Sequence, residues 1–154
     1  MANERANVTE PPPDWLSLLP HQPPMRLVEQ VVDVTPGVSA RCTRVTRPDD
    51  FFFQGHFPGQ PVVPAIILVE LLAQTGGLAI GSTAAGGVGA AGKLALRVAA
   101  FGGFKFPRAA GPGMTLEAVA RVAGRMGALH KIEGEVTADG QVVASGSLTL
   151  AEVR

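Results

Sequence analysis

The segment that begins near Pro64 and runs to about Gly76-Gly77 or slightly beyond predicts a helix that is apolar on nearly every side. A helix of this kind either spans a membrane or is covered by the rest of its own fold. A bilayer span needs roughly 20 predominantly apolar residues, whereas this segment is shorter and is interrupted by Glu70 and Gln74. We therefore predict one long helix that is buried against a sheet.

Strand-like segments lie on both sides of this helix along the chain. They cover residues 25–34, 38–45, 93–101, 114–126, 129–138 and 141–151. Pro36-Gly37 separates the first two segments and Asp139-Gly140 separates the last two, and such pairs favour the tight turns of antiparallel hairpins. Strands, one buried helix and further strands describe an α+β domain in which a curved antiparallel sheet wraps the helix.

Three consecutive prolines mark the start of this domain. Pro11, Pro12 and Pro13 are incompatible with a helix and with ladder hydrogen bonds, so we expect residues 1–14 to form a flexible arm and residues 15–154 a single domain. No apolar signal segment precedes Trp15, which favours a cytoplasmic location.

Composition and spacing exclude several classes of function. Thirteen basic residues balance thirteen acidic ones, so net charge does not indicate binding to nucleic acid or to a membrane. Residues 87–92 match the letters of a dinucleotide fingerprint, but a predicted helix precedes them and a strand follows, which favours a flexible connector. The three histidines lack the spacing of a metal site. We expect neither cofactor nor metal.

Cys42 is the only cysteine in the chain. A disulfide within one chain and a cysteine-based zinc site are therefore both excluded, and we assign Cys42 to the core.

One histidine and one glutamate carry the candidate chemistry. His56 lies in a turn rich in glycine and proline, and Glu70 is the only acid in the apolar helix. Placing a carboxylate among aliphatic side chains is costly unless it has a function. The structural alternatives are a turn histidine that is satisfied by backbone carbonyls and an acid that is held by Gln74, four residues further along the same helix face.

Several segments, taken in order, resemble the β-hydroxyacyl-acyl carrier protein dehydratases of fatty-acid synthesis. The resemblance spans nearly the whole domain, and its order makes it more specific than any one motif. It rests on Leu19-Pro20-His21, Arg26-Leu27-Val28-Glu29, Phe53-Gln54-Gly55-His56-Phe57-Pro58-Gly59, Pro61, Pro64, Glu70, Ala73-Gln74, Gly103-Phe104-Lys105-Phe106-Pro107-Arg108 and Gly111-Pro112-Gly113.

This resemblance implies the hotdog fold, in which an antiparallel sheet wraps a long central helix, and assembly as a dimer or a trimer of dimers. It implies that His56 of one subunit faces Glu70 of the other. It further implies that these two residues remove water from a 3-hydroxyacyl thioester to give the trans-2-enoyl thioester. The supporting residues at such a site are Gly55, Phe57, Pro58, Gly59, Pro64 and Gln74.

The elimination requires a base, an acid and a donor to the thioester oxygen. An imidazole titrates near neutral pH, so His56 suits the base, and a carboxyl group in apolar surroundings retains its proton, so Glu70 suits the acid. The backbone N–H of Ala65, at the start of the helix, is preorganised to bind the thioester oxygen. The family usually has glycine here, so we expect the added methyl group to narrow the acyl channel or to shift the preferred chain length. Glutamate at position 70, where isomerising relatives have aspartate, favours plain dehydration.

The family also implies a carrier partner. Residues 91–131 contain seven basic residues and a single acid, which is either a solvated face or a docking site for an acidic protein. Acyl carrier proteins are acidic and deliver substrates on a phosphopantetheine arm, and we select Arg97, Lys105 and Arg108 as docking residues. His21 matches an early motif of the family, and we expect it to shape a loop.

Three alternatives stay open on the sequence alone. They are a hotdog thioesterase, a coenzyme A hydratase, and a catalytically silent module for acyl binding or dimerisation. The His56-Phe57-Pro58-Gly59 turn is evidence against the thioesterase. The phenylalanines at 51–53, together with Phe57, either line an acyl tunnel or belong to the core.

Overall fold

The computed structural model describes residues 14–82 and 95–153. The expected N-terminal arm, apart from Asp14, and the glycine-rich connector at 87–92 lie outside the described residues. The division of the chain into an arm and a single domain therefore stays a prediction.

A long helix, α1 (Ala65–Gly81), forms the centre of the fold. Pro64 is its N-cap and has an extended backbone (ψ 140°), so the helix begins one residue later than the sequence predicted. The helix also continues past Gly77. Glycines weaken a helix by roughly 0.5–1 kcal/mol each, but Gly76 packs directly against Ile132, and a Cβ placed there would lie only 2.9 Å from its Cγ2 atom. Gly76 thus permits close packing and does not end the helix.

Within the described residues, six strands form one antiparallel sheet in the order β1-β2-β4-β5-β6-β3. The strands are β1 (Gln30–Thr35), β2 (Ser39–Val45), β3 (Leu96–Lys105), β4 (Thr115–Met126), β5 (Leu129–Ala138) and β6 (Gln141–Glu152). The helix packs against β2, β4, β5 and β6, and from Leu71 to Gly81 every residue of it is buried. The predicted helix covered by an antiparallel sheet is confirmed.

The β5–β6 hairpin follows its sequence pattern closely. Every second residue of β5 from Ile132 to Ala138 faces the core. The alternate residues face outward: Lys131, Glu133, Glu135 and Thr137. The turn residues Asp139 and Gly140 both have positive φ angles, of 47° and 82°, as the two-residue turns of hairpins require. The predicted hairpin is confirmed.

Two strands, β1 and β3, differ from their predicted bounds by more than one residue. The first begins at Gln30 instead of Met25, because the N–H groups of Leu27 and Val28 both donate to the side chain of Gln74 in α1 rather than to a neighbouring strand. The segment before β1 is therefore attached to the helix. Strand β3 continues beyond Phe101 to Lys105, with an irregular register after Gly102.

Cys42 lies in the core, as predicted, and is fully buried. Burial raises the pKa of its thiol to about 11, partly offset by a hydrogen bond with Thr75. In the described part of the chain, no helix is long and apolar enough to cross a membrane.

Candidate active site

The turn that carries His56 is held by its own backbone. Gly55 and Gly59 have φ angles of 74° and 72°, a left-handed conformation that other residues adopt only at a cost. The N–H of His56 donates to the Phe53 carbonyl at 3.1 Å, and the His56 carbonyl accepts from the N–H of Val62 at 2.8 Å. The position of His56 is therefore set from both sides.

The imidazole of His56 has a defined tautomer. Its Nδ1 lies 3.0 Å from the carbonyl oxygen of Val62. A carbonyl only accepts, so Nδ1 carries the proton and Nε2 of the neutral ring keeps its lone pair. The ring also stacks on the exposed ring of Phe57, with centroids 4.2 Å apart. His56 can thus accept a proton at Nε2.

A pocket of about 300 Å³ adjoins this imidazole. Besides His56, it is lined by Val62, Val63, Ala65, Leu68, Phe106, Arg108, Ala109 and Ala110. The carbonyl of Pro64 accepts from the N–H groups of Ile67 and Leu68. The N–H of Ala65 has no acceptor among the described residues, as expected for the first turn of a helix. The pocket therefore places a free backbone donor near His56.

Glu70 lines a different pocket, of about 270 Å³. The other residues around it are Leu19, Pro20, His21, Ala73, Gln74, Gly77, Leu96, Arg97, Val98 and Leu150. We expected a buried carboxyl group, but in the single chain the side chain of Glu70 is 27% exposed and opens into this pocket. Its surroundings are otherwise mostly aliphatic.

Gln74 attaches Glu70 to the rest of the fold. Its buried side-chain amide has four partners: Oε1 accepts from the N–H groups of Leu27 and Val28, and Nε2 donates to the Met25 carbonyl at 2.8 Å and to Glu70 Oε1 at 3.1 Å. Because the backbone partners determine which way the amide points, its donor must face the glutamate.

His21 also reaches Glu70, with its Nε2 atom 3.3 Å from Oε1. We expected this histidine only to shape a loop, and its place beside the candidate acid was not predicted. The only signal was its position in the early Leu19-Pro20-His21 motif, because nothing in local spacing relates it to a helix far along the chain.

His56 and Glu70 belong to opposite sides of α1. Leu68 lines the His56 pocket, and Glu70 follows it by two residues, which is a rotation of about 200° around the helix. Ala73 and Gln74 lie one turn of α1 after Glu70. Of the two pockets, they line only the one that contains Glu70. The structure therefore does not bring His56 and Glu70 into one pocket of a single chain.

The basic residues chosen from the sequence lie near these pockets. Arg97 borders the Glu70 pocket and Arg108 borders the His56 pocket, while Lys105 ends β3, and all three are exposed. None of them forms an ion pair within the described residues, whereas Lys131 and Arg125 from the same window do. Some of the basic residues in 91–131 are therefore neutralised by ion pairs, whereas within the described part of the chain the three that we selected for docking are not.

The aromatic run separates into two roles. Phe52 and Phe53 are buried in the core, while Phe51 and Phe57 are exposed.

Among residues 14–82 and 95–153, no three side chains of histidine, cysteine, aspartate or glutamate are grouped so that they could hold a metal ion.

Comparisons with known proteins agree with this architecture. The family model of the FabA-like domain matches residues 19–147. The chain is 35% identical over 140 residues to a protein of Herpetosiphon aurantiacus named 3-hydroxyacyl-[acyl-carrier-protein] dehydratase FabZ, which covers 91% of this chain and 96% of that protein. A protein of the same name from Oleidesulfovibrio alaskensis is 37% identical over 139 residues, covering 88% of this chain and 86% of the relative.

A solved structure supports the fold. The dehydratase heterocomplex ApeI:P from Xenorhabdus doucetiae superimposes with a TM-score of 0.74 at 20% identity, over 90% of this chain and 91% of that one. The predicted α+β hotdog fold is confirmed. The extent of the family match and of the two sequence relatives leads to one conclusion: the chain belongs to the family of FabA-like domain proteins.

Proposed function

We propose that this protein is a hydro-lyase that removes water from 3-hydroxyacyl thioesters carried by an acyl carrier protein. The relatives named above are 3-hydroxyacyl-[acyl-carrier-protein] dehydratases and cover most of the chain. The observation that carries the proposal is the His56 pocket, where an imidazole whose Nδ1 faces the Val62 carbonyl shares a cavity with the N–H of Ala65, which has no acceptor among the described residues. A proton acceptor next to an oxyanion donor is what the first half of the reaction requires.

In this mechanism His56 Nε2 takes the proton from C2 of the acyl chain. The negative charge that develops on the thioester oxygen is stabilised by the Ala65 N–H, which lies at the positive end of the α1 dipole. The Ala65 methyl group projects from the same pocket wall. We therefore expect Ala65→Gly to change the preference among acyl chain lengths, and an unchanged preference would remove a specificity role for that methyl group.

Glu70 protonates the departing C3 hydroxyl. Since its carboxyl opens on the opposite side of α1 from His56 within one chain, we assign the two groups of one active site to two subunits. Exposed apolar side chains surround the candidate contact region: Phe57 in the turn, Ile66 at the start of α1, and Phe101 and Phe106 in and after β3. A homodimer with two composite sites would cover them, and a trimer of dimers is the larger assembly that the resemblance implies.

Subunit complementation tests the composite site. We expect homodimers of the His56→Ala chain or of the Glu70→Gln chain to be nearly inactive, whereas a mixed dimer contains one site with both native residues. Statistical mixing should therefore restore about a quarter of the native activity. No recovery from a mixture in which native mass spectrometry detects the heterodimer would contradict the shared site. An active monomer, identified by light scattering, would also contradict it.

The activity itself is tested with a 3-hydroxyacyl-pantetheine thioester, by following the conjugated enoyl product. We expect His56→Ala and Glu70→Gln to lower kcat by roughly 10²- to 10⁴-fold, the usual contribution of one general acid or base. Glu133→Gln is the matched control, because Glu133 is exposed on β5, lines neither pocket and forms a long ion pair with Lys131, at 3.9 Å. Release of a free thiol would instead identify a thioesterase, and a lack of turnover would favour a silent acyl-binding or dimerisation module.

Docking of the carrier protein is assigned to Arg97, Lys105 and Arg108. Lys105 gives the clearest test, because it lines neither pocket. We expect Lys105→Glu to raise KM for carrier-bound substrate and to leave turnover of the pantetheine thioester unchanged, while Arg121→Glu, an exposed arginine away from both pockets, changes neither. Equal activity with coenzyme A and carrier thioesters would favour a coenzyme A hydratase. With this function the protein would act in the cytoplasm.

A further inference from the structure

The two carboxyl oxygens of Glu70 have different surroundings. Oε1 lies 3.1 Å from Nε2 of Gln74 and 3.3 Å from Nε2 of His21. No described side chain donates a hydrogen bond to Oε2. The carboxyl group is therefore held through one oxygen, and the other is available to the pocket.

The second ring nitrogen of His21 determines whether Nε2 acts as a donor or as an acceptor. Nδ1 is buried and has no hydrogen-bond partner among the described residues. A protonated imidazole would leave a buried N–H unsatisfied at this atom, which is costly. With the proton on Nε2, Nδ1 keeps its lone pair, and an unpaired acceptor is tolerated better at a buried atom than an unpaired N–H. The nitrogen that faces Glu70 is then a donor.

Gln74 faces Glu70 with a donor for an independent reason. Its Oε1 is occupied by two backbone N–H groups, and its Nε2 also donates to the Met25 carbonyl. Two donors thus converge on the same carboxyl oxygen. A proton on Oε1 would compete with both donors for this oxygen and weaken their hydrogen bonds, whereas a proton on Oε2 would leave both hydrogen bonds intact.

We propose that His21 is a positioning residue that, with Gln74, anchors Oε1 of Glu70 and so assigns the acid proton to Oε2. The proposal rests on the dehydratase function given above. As the C2–H electron pair forms the C2=C3 double bond, the C3–O bond breaks and Oε2 transfers its proton to the leaving hydroxyl, which departs as water. One proton then returns through solvent from His56 to Glu70.

The anchoring matters most when the carboxylate forms. Hydrogen bonds to an ionised acceptor are about twice as strong as those to a neutral one, so both donors stabilise the product of proton transfer more than its reactant. The 3.3 Å separation of His21 and Glu70 is long, and such contacts often tighten when substrate binds. The effect of His21 should therefore appear in kcat and not in KM.

Two substitutions separate this role from a loop-shaping one. His21→Gln can keep a donor near the position of the histidine Nε2 but cannot titrate, while His21→Leu removes the donor at similar size. We expect His21→Leu to lower kcat by roughly 10- to 100-fold with KM nearly unchanged, and His21→Gln to stay within a few-fold of the native kcat. If His21→Leu does not fold, His21→Asn, whose donor is too short to reach, replaces it.

Equal loss in the leucine and glutamine variants, or no loss in either, would overturn the positioning role while the native enzyme remained active. An inactive native protein would overturn the proposed function instead. The tautomer of His21 is measured by 15N NMR, without any turnover. The imidazole signals of His21 are assigned by their absence from the spectrum of His21→Gln. A neutral ring with its proton on Nε2 is expected, and a proton on Nδ1 would contradict the inference whatever the activity.

Discussion

Gly134 in β5 is a position where one added methyl group should strongly destabilise the fold. A Cβ placed there would lie 2.1 Å from the Val119 carbonyl oxygen, 2.9 Å from Cδ1 of Leu72 in α1 and 3.1 Å from the Cα atom of Ala120. Two of these three atoms belong to the backbone of β4, the neighbouring strand. Relief would require β4 and β5 to separate, because rotation of a side chain removes only the contact with Leu72.

The magnitude follows from these contacts. The carbonyl contact is more than 1 Å shorter than the roughly 3.3 Å of a close carbon–oxygen contact. Overpacking of a core costs about 1–3 kcal/mol, and one or two weakened ladder hydrogen bonds add about 1 kcal/mol each. Alanine has a lower conformational entropy than glycine in the unfolded chain, which offsets about 0.5–1 kcal/mol of this destabilisation. We expect Gly134→Ala to lower the free energy of unfolding by about 2–4 kcal/mol.

Thermal unfolding at equal protein concentration measures this effect. The loss corresponds to a fall in Tm of roughly 5–15 °C for a chain of this size. Gly124→Ala in β4 is the matched control, since a Cβ there meets no atom within 4 Å, and its Tm should change by no more than roughly 2 °C. Equal Tm values for the two variants would mean that β4 and β5 do not approach as closely at Gly134 as the structure shows.

Two further predictions concern Cys42 and the His56 turn. Since burial raises the pKa of Cys42 to about 11, its thiol stays protonated at pH 8, and a thiol reagent should modify it only after unfolding in guanidinium; rapid labelling of the native protein would contradict this. Gly59→Ala places a side chain at φ 72°. It should lower the free energy of unfolding by about 1–2 kcal/mol and remove most of the activity. Gly113→Ala, at φ 78° in another loop, should lower stability by a similar amount and leave activity unchanged.

The end of α1 shows where local pattern stopped being informative. Gly76 and Gly77 resemble a helix stop when read alone, yet Gly76 lies inside the helix because Ile132 packs against it. Likewise, the segment at 25–29 has strand character, but Leu27 and Val28 give their N–H groups to Gln74. In both cases a partner far along the chain determined the backbone conformation.

Short-range order is written in the amino-acid sequence itself. The β5–β6 hairpin, the start of α1 to within one residue and the turn around His56 could all be predicted, because alternation, proline and glycine act on neighbouring residues. The approach of His21 to Glu70 and the placement of His56 and Glu70 on opposite sides of α1 were not. Strand order and helix rotation determine them, and those arise only when the sheet closes over the helix and segments distant in the chain become neighbours.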